Sequence, residues 1–223
     1  MHIEPGLISP EKMLLAYAAA TTAGATTVKF ALDAIKERGA LSLVARSAMT
    51  TAAVFAFFEV LPHYPVGVSE VHLILGTTLL LIFGAVPAAI GLILGLLAQG
   101  LFFAHFDLPQ YAANITTLLV PLFAIKLVAD RIIPRDTAYV DISYVQALKL
   151  SATYQGGVVL WVAFWALYGQ GFGAENMASV ASFGGAYMLV VLAEPLIDLA
   201  VLAGAKTMRG LGKTGLVTPR LFA

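Results

Sequence analysis

Four histidines and no cysteine mark out what chemistry this chain can do. Thiolate sites and disulfides are excluded. A transition-metal site would have to use imidazole, carboxylate, backbone or terminal-amine ligands. His2 stands in the opening stretch Met1-His2-Ile3-Glu4-Pro5-Gly6. A free terminal amine, the deprotonated amide nitrogen of His2 and its imidazole can close fused chelate rings around one ion. Three nitrogens then hold three corners of a plane, and one more imidazole completes it. Such a square-planar set selects Ni(II), Cu(II) or low-spin Co(II) over Zn(II) and Mg(II). Pro5-Gly6 lets the terminus fold back on the protein. Bulky His2 disfavours removal of Met1, so Met1 is expected to be retained. No basic segment precedes Lys12, so no cleavable leader is expected.

The candidate for the fourth nitrogen is His72, in Val68-Ser69-Glu70-Val71-His72-Leu73. It is expected on the first turn of a short helix, with Ser69 or Glu70 capping that helix. His63 follows Pro62 in a loop and is a candidate auxiliary ligand. His105 closes a helix and is expected to be interfacial. Glu59, near the end of a helix, and Glu70 are candidate acceptors for a ligand imidazole. The ordinary alternatives are a frayed end for His2, an interfacial histidine for His63, His72 and His105, and a structural partner for Glu59. Glu194 and Asp198 are acids deep in an apolar stretch, a functional signal by default, with no role to assign from sequence.

Other chemistry has no foothold. There is no phosphate-binding Gly-rich loop, no Gly-x-Ser-x-Gly and no His-Glu-x-x-His, so no enzymatic activity is expected. The formal net charge is zero, which gives nucleic acid nothing to bind.

The elements that must position these residues are membrane helices. The chain is 60% hydrophobic and only 12% charged, too little polar surface for a soluble fold of this length. Seven apolar segments are expected, over about 13–35, 41–61, 72–83, 87–104, 113–133, 143–168 and 178–205. Gly84-Ala85-Val86-Pro87 breaks the third from the fourth, and the third is short. Pro121 is expected to kink the fifth. The chain therefore reads as an all-α membrane protein, a seven-helix transmembrane bundle. One domain is expected over 1–223, with an external arm at 1–10 and a cytoplasmic tail at 206–223. With the N-terminus outside and the C-terminus cytoplasmic, 12 of the 13 Lys and Arg residues fall on the inner face, and only Lys12 falls outside. Arg135, Arg209, Lys213 and Arg220 are among the inner ones. All four histidines then share the outer face. Two small-residue ridges, Ala16/Ala20/Gly24 and Gly91/Gly95, allow close helix contact.

The opening Met1-His2-Ile3-x-x-Gly6, together with Gly67-Val68-Ser69-Glu70-Val71-His72-Leu73, Gly76 and Ala113-Asn114, resembles the cobalt/nickel substrate-binding subunits (CbiM and NikM) of energy-coupling factor transporters. The resemblance spans the whole seven-helix layout. It implies that Met1 supplies its amine, His2 its amide and imidazole nitrogens, and His72 the fourth nitrogen, with Asn114 in a supporting role. It implies Co(II) or Ni(II) as the transported substrate. The implied partners are a transmembrane coupling subunit and two cytoplasmic ATPases, with a small separate membrane subunit as a further candidate. The implied location is the prokaryotic cytoplasmic membrane, crossed several times. Two alternatives stand beside it. One is a ligand-free assembly subunit. The other is a vitamin-uptake subunit with Trp161 and Trp165 lining an outer cavity.

Overall fold

The computed structural model describes residues 2–134 and 137–207. The expectations placed on Met1, Arg135 and the tail beyond 207 (Arg209, Lys213 and Arg220) lie outside the described residues. Among those described, seven α-helices run in the order α1 (Met13–Arg38), α2 (Ala40–Glu59), α3 (Gly76–Phe83), α4 (Ala85–Phe102), α5 (Tyr111–Ile132), α6 (Tyr144–Gln170) and α7 (Ala174–Thr207). The protein is an all-α membrane protein, and five of its helical stretches are long and apolar enough to cross a bilayer: 40–59, 85–102, 105–132, 144–170 and 174–207.

Neither α1 nor α3 belongs to that set. α3 has only eight residues. α1 is long enough, but threonines and charged groups dilute it. Thr22, Thr26 and Thr27 return their hydroxyls to the carbonyls of Ala18, Thr22 and Ala23, so these polar groups are satisfied within the helix. α1 still presents exposed Leu14, Val28 and Leu32 to its surroundings.

The break between α3 and α4 falls at Gly84, with φ 92°. Arg46 Nη1 donates to Phe83 O at 2.7 Å and Thr50 Oγ1 to Pro87 O at 2.6 Å, so α2 takes up carbonyls on both sides of the break. Gly91 and Gly95 serve packing inside the protein. A Cβ at Gly91 would meet the Thr50 side chain at 2.4 Å, and one at Gly95 would meet Val54 at 2.6 Å. Gly24, by contrast, faces open space. α5 continues through Pro121 without interruption.

Between α2 and α3 the structure corrects the expected helix start. Residues 64–71 form a β-hairpin, β1 (Tyr64–Val66) against β2 (Ser69–Val71), paired antiparallel with Pro65 opposite Glu70. His72 follows this hairpin outside any helix or strand, and α3 begins only at Gly76. No side chain caps α3, so Ser69 and Glu70 do not act as caps. Two features delay the helix. The Glu194 carboxylate takes the Ile74 amide proton, and Leu75 adopts a left-handed φ of 55°.

Gly67 fixes where the hairpin sits. Its φ is +62°, and a Cβ there would come within 2.1 Å of the Ser179 carbonyl oxygen on α7. Gly67→Ala is expected to destabilise the fold, by about 1–2 kcal/mol for left-handed strain and about 1–3 kcal/mol for overpacking. A lowered melting temperature of the detergent-solubilised protein would show it, and an unchanged one would mean that the turn is not clamped on α7.

Candidate metal centre

Residues 2–4 lie alongside the two-stranded hairpin and join it through an isolated β-bridge. Ile3 bridges Ser69 in antiparallel register. Glu70 N–H donates to His2 O at 2.9 Å, and Glu4 N–H to Val68 O at 3.1 Å. The Ser69 hydroxyl also donates to His2 O at 2.9 Å. From the opposite side, Asn114 Oδ1 on α5 accepts the Ile3 N–H at 2.9 Å, and Gln110 Nε2 donates to Glu4 O at 2.9 Å. Ile3 itself is fully buried beside Trp165, Ala112 and Ala113. Further along, Lys12 Nζ donates to the carbonyls of Tyr168 and Gly169 at the end of α6. Backbone pairing, a buried apolar anchor and side chains from two helices therefore hold the arm in place.

That pairing brings His2 and His72 together. Their ring centroids are 5.3 Å apart, and both residues are buried. One ligand atom from each of His2, Glu70 and His72 lies within 4.8 Å of the other two. His72 Nε2 is 2.8 Å from Glu70 Oε2. With the proton assigned to Nε2, that nitrogen donates to the carboxylate and Nδ1 carries the lone pair. His72 Nδ1 is buried with no hydrogen-bond partner. A carboxylate behind a ligand imidazole is the usual way to fix its tautomer and raise its basicity. His2 Nδ1 lies 2.9 Å from Asp107 Oδ2 and 3.1 Å from Glu70 Oε2. That nitrogen is therefore in close contact with two carboxylates, Glu70 and Asp107. His72 Nδ1 is thus left without a partner, a costly arrangement unless a ligand uses it.

The local electrostatics suit a cation. Burial alone would raise the Glu70 carboxyl, but hydrogen bonds from His2 and His72 outweigh it and hold the group below its ordinary value. Burial pushes His72 well below the usual imidazole range, so it is neutral and able to coordinate near neutral pH. Glu4 is raised, first by burial and then by the charges of Glu70 and Asp107. His2, Glu4, Glu70 and Asp107 line a small cavity of about 210 Å³ with Ile3, Pro5, Pro65 and Phe106.

The other sequence candidates fall at different distances from this centre. His63 stacks on His72, with centroids 4.9 Å apart and 15° between planes, and its Nδ1 is 3.2 Å from Leu61 O. Asn114 reaches the arm through the Ile3 amide. Glu59 takes a hydrogen bond from Gln99 at 3.3 Å. His105 is exposed at the start of a 3-10 helix, His105–Gln110. Trp161 and Trp165 both donate to Thr116 Oγ1. Trp165 is fully buried against the arm, which gives the vitamin-cavity alternative no open aromatic lining.

Asp107 is not among the candidates that residue types single out; its one sequence signal is an acid in a loop with no Lys or Arg beside it. Glu194, an acid deep in an apolar stretch, finds its partners only in the fold. It accepts from the Ile74 N–H and from Gln155 Nε2, and Gln155 in turn accepts from the Tyr187 hydroxyl at 2.8 Å. This network pins the segment that carries His72.

No curated protein and no solved structure matches the chain. A family model described as "Cobalt uptake substrate-specific transmembrane region" matches residues 2–210, nearly the whole length and both histidine segments. With an apolar multi-helix body and a buried histidine pair as its setting, the chain belongs to this family of cobalt-uptake membrane components.

Proposed function

We propose that this protein captures Co(II) or Ni(II) on the outer face of the prokaryotic cytoplasmic membrane, in a four-nitrogen site. The ligands are the Met1 amine, the His2 amide nitrogen and Nδ1, and one nitrogen of His72. Fused chelation from residue 2 requires Nδ1, because that atom closes the six-membered ring with the amide. The observation that carries this reading is the buried pair of imidazoles of His2 and His72, with ring centroids 5.3 Å apart and His72 Nδ1 unpartnered, drawn from segments 70 residues apart. The Ile3 N–H is occupied by Asn114, which fixes the backbone just after the proposed amide ligand. The N-terminus is outside and the tail cytoplasmic, by the distribution of basic residues. The chain acts as one transmembrane unit. It hands its cargo inward when coupled to a transmembrane subunit and two cytoplasmic ATPases of the energy-coupling factor type.

A second reading is favoured by Glu70 Oε2, which touches both imidazoles. It uses His2, Glu70 and His72 as a mixed nitrogen and oxygen set, which suits a wider range of divalent ions. Elemental analysis of protein purified with its native N-terminus tests the first reading. One equivalent of cobalt or nickel, retained against zinc competition, supports it. Stoichiometric zinc with no preference for nickel supports the mixed set.

Glu70→Gln separates the two further. In the four-nitrogen site Glu70 only orients His72, so affinity is expected to fall about 10–100-fold, the range for loss of an outer carboxylate. Complete loss of binding, measured by competition with a metal indicator, would make Glu70 a ligand.

A further inference from the structure

Glu194 and Asp198 are four residues apart on α7, so they share one face. Glu194 is 0% and Asp198 2% exposed. Both oxygens of Glu194 are engaged, by the Ile74 N–H and Gln155. Asp198 is different. Its Oδ1 accepts from the Thr78 hydroxyl, but Oδ2 has no hydrogen-bond partner. The Ser151 hydroxyl is within hydrogen-bonding reach of Asp198, and the Tyr154 hydroxyl lies near both acids. Both residues are fully buried, and the Tyr154 hydroxyl has no hydrogen-bond partner. Among the described residues, no lysine or arginine pairs with either acid. Uncompensated acids at membrane depth mark cation or proton paths.

The placement adds direction. Ile74 is two residues past His72, and Thr78 is one helical turn beyond that. Asp198 and Thr78 are the polar residues bordering a small, otherwise apolar cavity with Leu81, Ile82, Val201, Leu202 and Ala205, towards the C-terminal end of α7. The acids therefore lie one step from the histidine pair, on the side of the basic-rich end. All the donors here are oxygen, which suits a hard divalent cation and not the nitrogen-selective geometry above.

We propose that Asp198, with Thr78, Ser151 and Tyr154, forms a second, oxygen-lined cation site that receives the cargo ion from the histidine site on its way inward. The transit role rests on the proposed function; the site itself does not. Mn(II) is the probe, because it prefers oxygen ligands and does not favour a square-planar nitrogen set.

Electron paramagnetic titration of the full chain in detergent is expected to show one Mn(II) site. It should survive His72→Ala and weaken at least tenfold in Asp198→Asn, while Asp198→Asn keeps stoichiometric Co(II). Ser151→Ala removes a hydroxyl without changing charge and is expected to weaken Mn(II) several-fold, which covers a failure of Asp198→Asn to fold. Wild-type protein that binds no Mn(II), or binds it equally well in both variants, overturns the proposal. So does joint loss of Mn(II) and Co(II) in a normally folded Asp198→Asn protein, since the two sites would then be one. If His72→Ala keeps Co(II) while Mn(II) still depends on Asp198, the histidine reading fails and the second site stands.

Discussion

His72→Ala is expected to reduce Co(II) or Ni(II) affinity more than about 100-fold, beyond the range for losing an outer partner. Three arm nitrogens would remain, but the fourth corner of the plane would open to water or to the Glu70 carboxylate, which would lose its imidazole contact. The fold should tolerate the change. Ile74 and Leu75 stay tied to Glu194 and α7, and the hairpin keeps its pairing with residues 2–4. Equilibrium dialysis with radioactive cobalt measures the effect, and a melting temperature near that of the parent protein shows that the loss is local. His63→Ala makes the comparison sharper. His63 stacks on His72 and has its own backbone partner, so its removal is expected to change affinity by less than about tenfold. Equal losses in both variants would make His63 a ligand.

Extending the chain by a single residue ahead of Met1 is expected to abolish tight binding just as completely. The chelate depends on an amine one residue before His2. One added residue turns that amine into an amide, moves the free amine a residue further away and crowds a buried site. His2→Ala removes the Nδ1 corner and should match it. The two changes differ in what they spare. An extension leaves His2, Glu70 and His72 in place, so the mixed nitrogen and oxygen set predicts retained binding in the extended protein. The four-nitrogen site predicts none. Preparations tagged at the N-terminus should accordingly hold no tightly bound cobalt or nickel.

Much of this arrangement could be read from residue types, and the rest could not. The second-position histidine and the absence of cysteine narrow the metal chemistry before any fold is known. The break at Gly84 follows from Gly-Ala-Val-Pro in an apolar run, and the helical body follows from composition. The β-hairpin does not follow. Its strands have three residues each, too few for an alternating pattern, and the bridge beside them comes from Ile3, far away in the chain. His72 was expected on a helix because Leu73 to Phe83 is almost continuously apolar. The helix start is set instead by Glu194, 120 residues away from Ile74, which no local pattern could reveal. Asp107 was hidden for the same reason: only the folded arm sets it against His2. α1 shows the opposite limit. Its length suggests an ordinary span, yet its threonines and charged groups place it outside the apolar set.

The most direct test is a crystal structure of the native-terminus protein loaded with cobalt, with anomalous differences collected at the cobalt edge. The account predicts a peak bonded to nitrogens of both His2 and His72, with Met1 and the His2 amide completing a plane of four. A tight cobalt peak held by Glu4, Glu70 and Asp107 carboxylates, with no density between the two imidazoles, would contradict it.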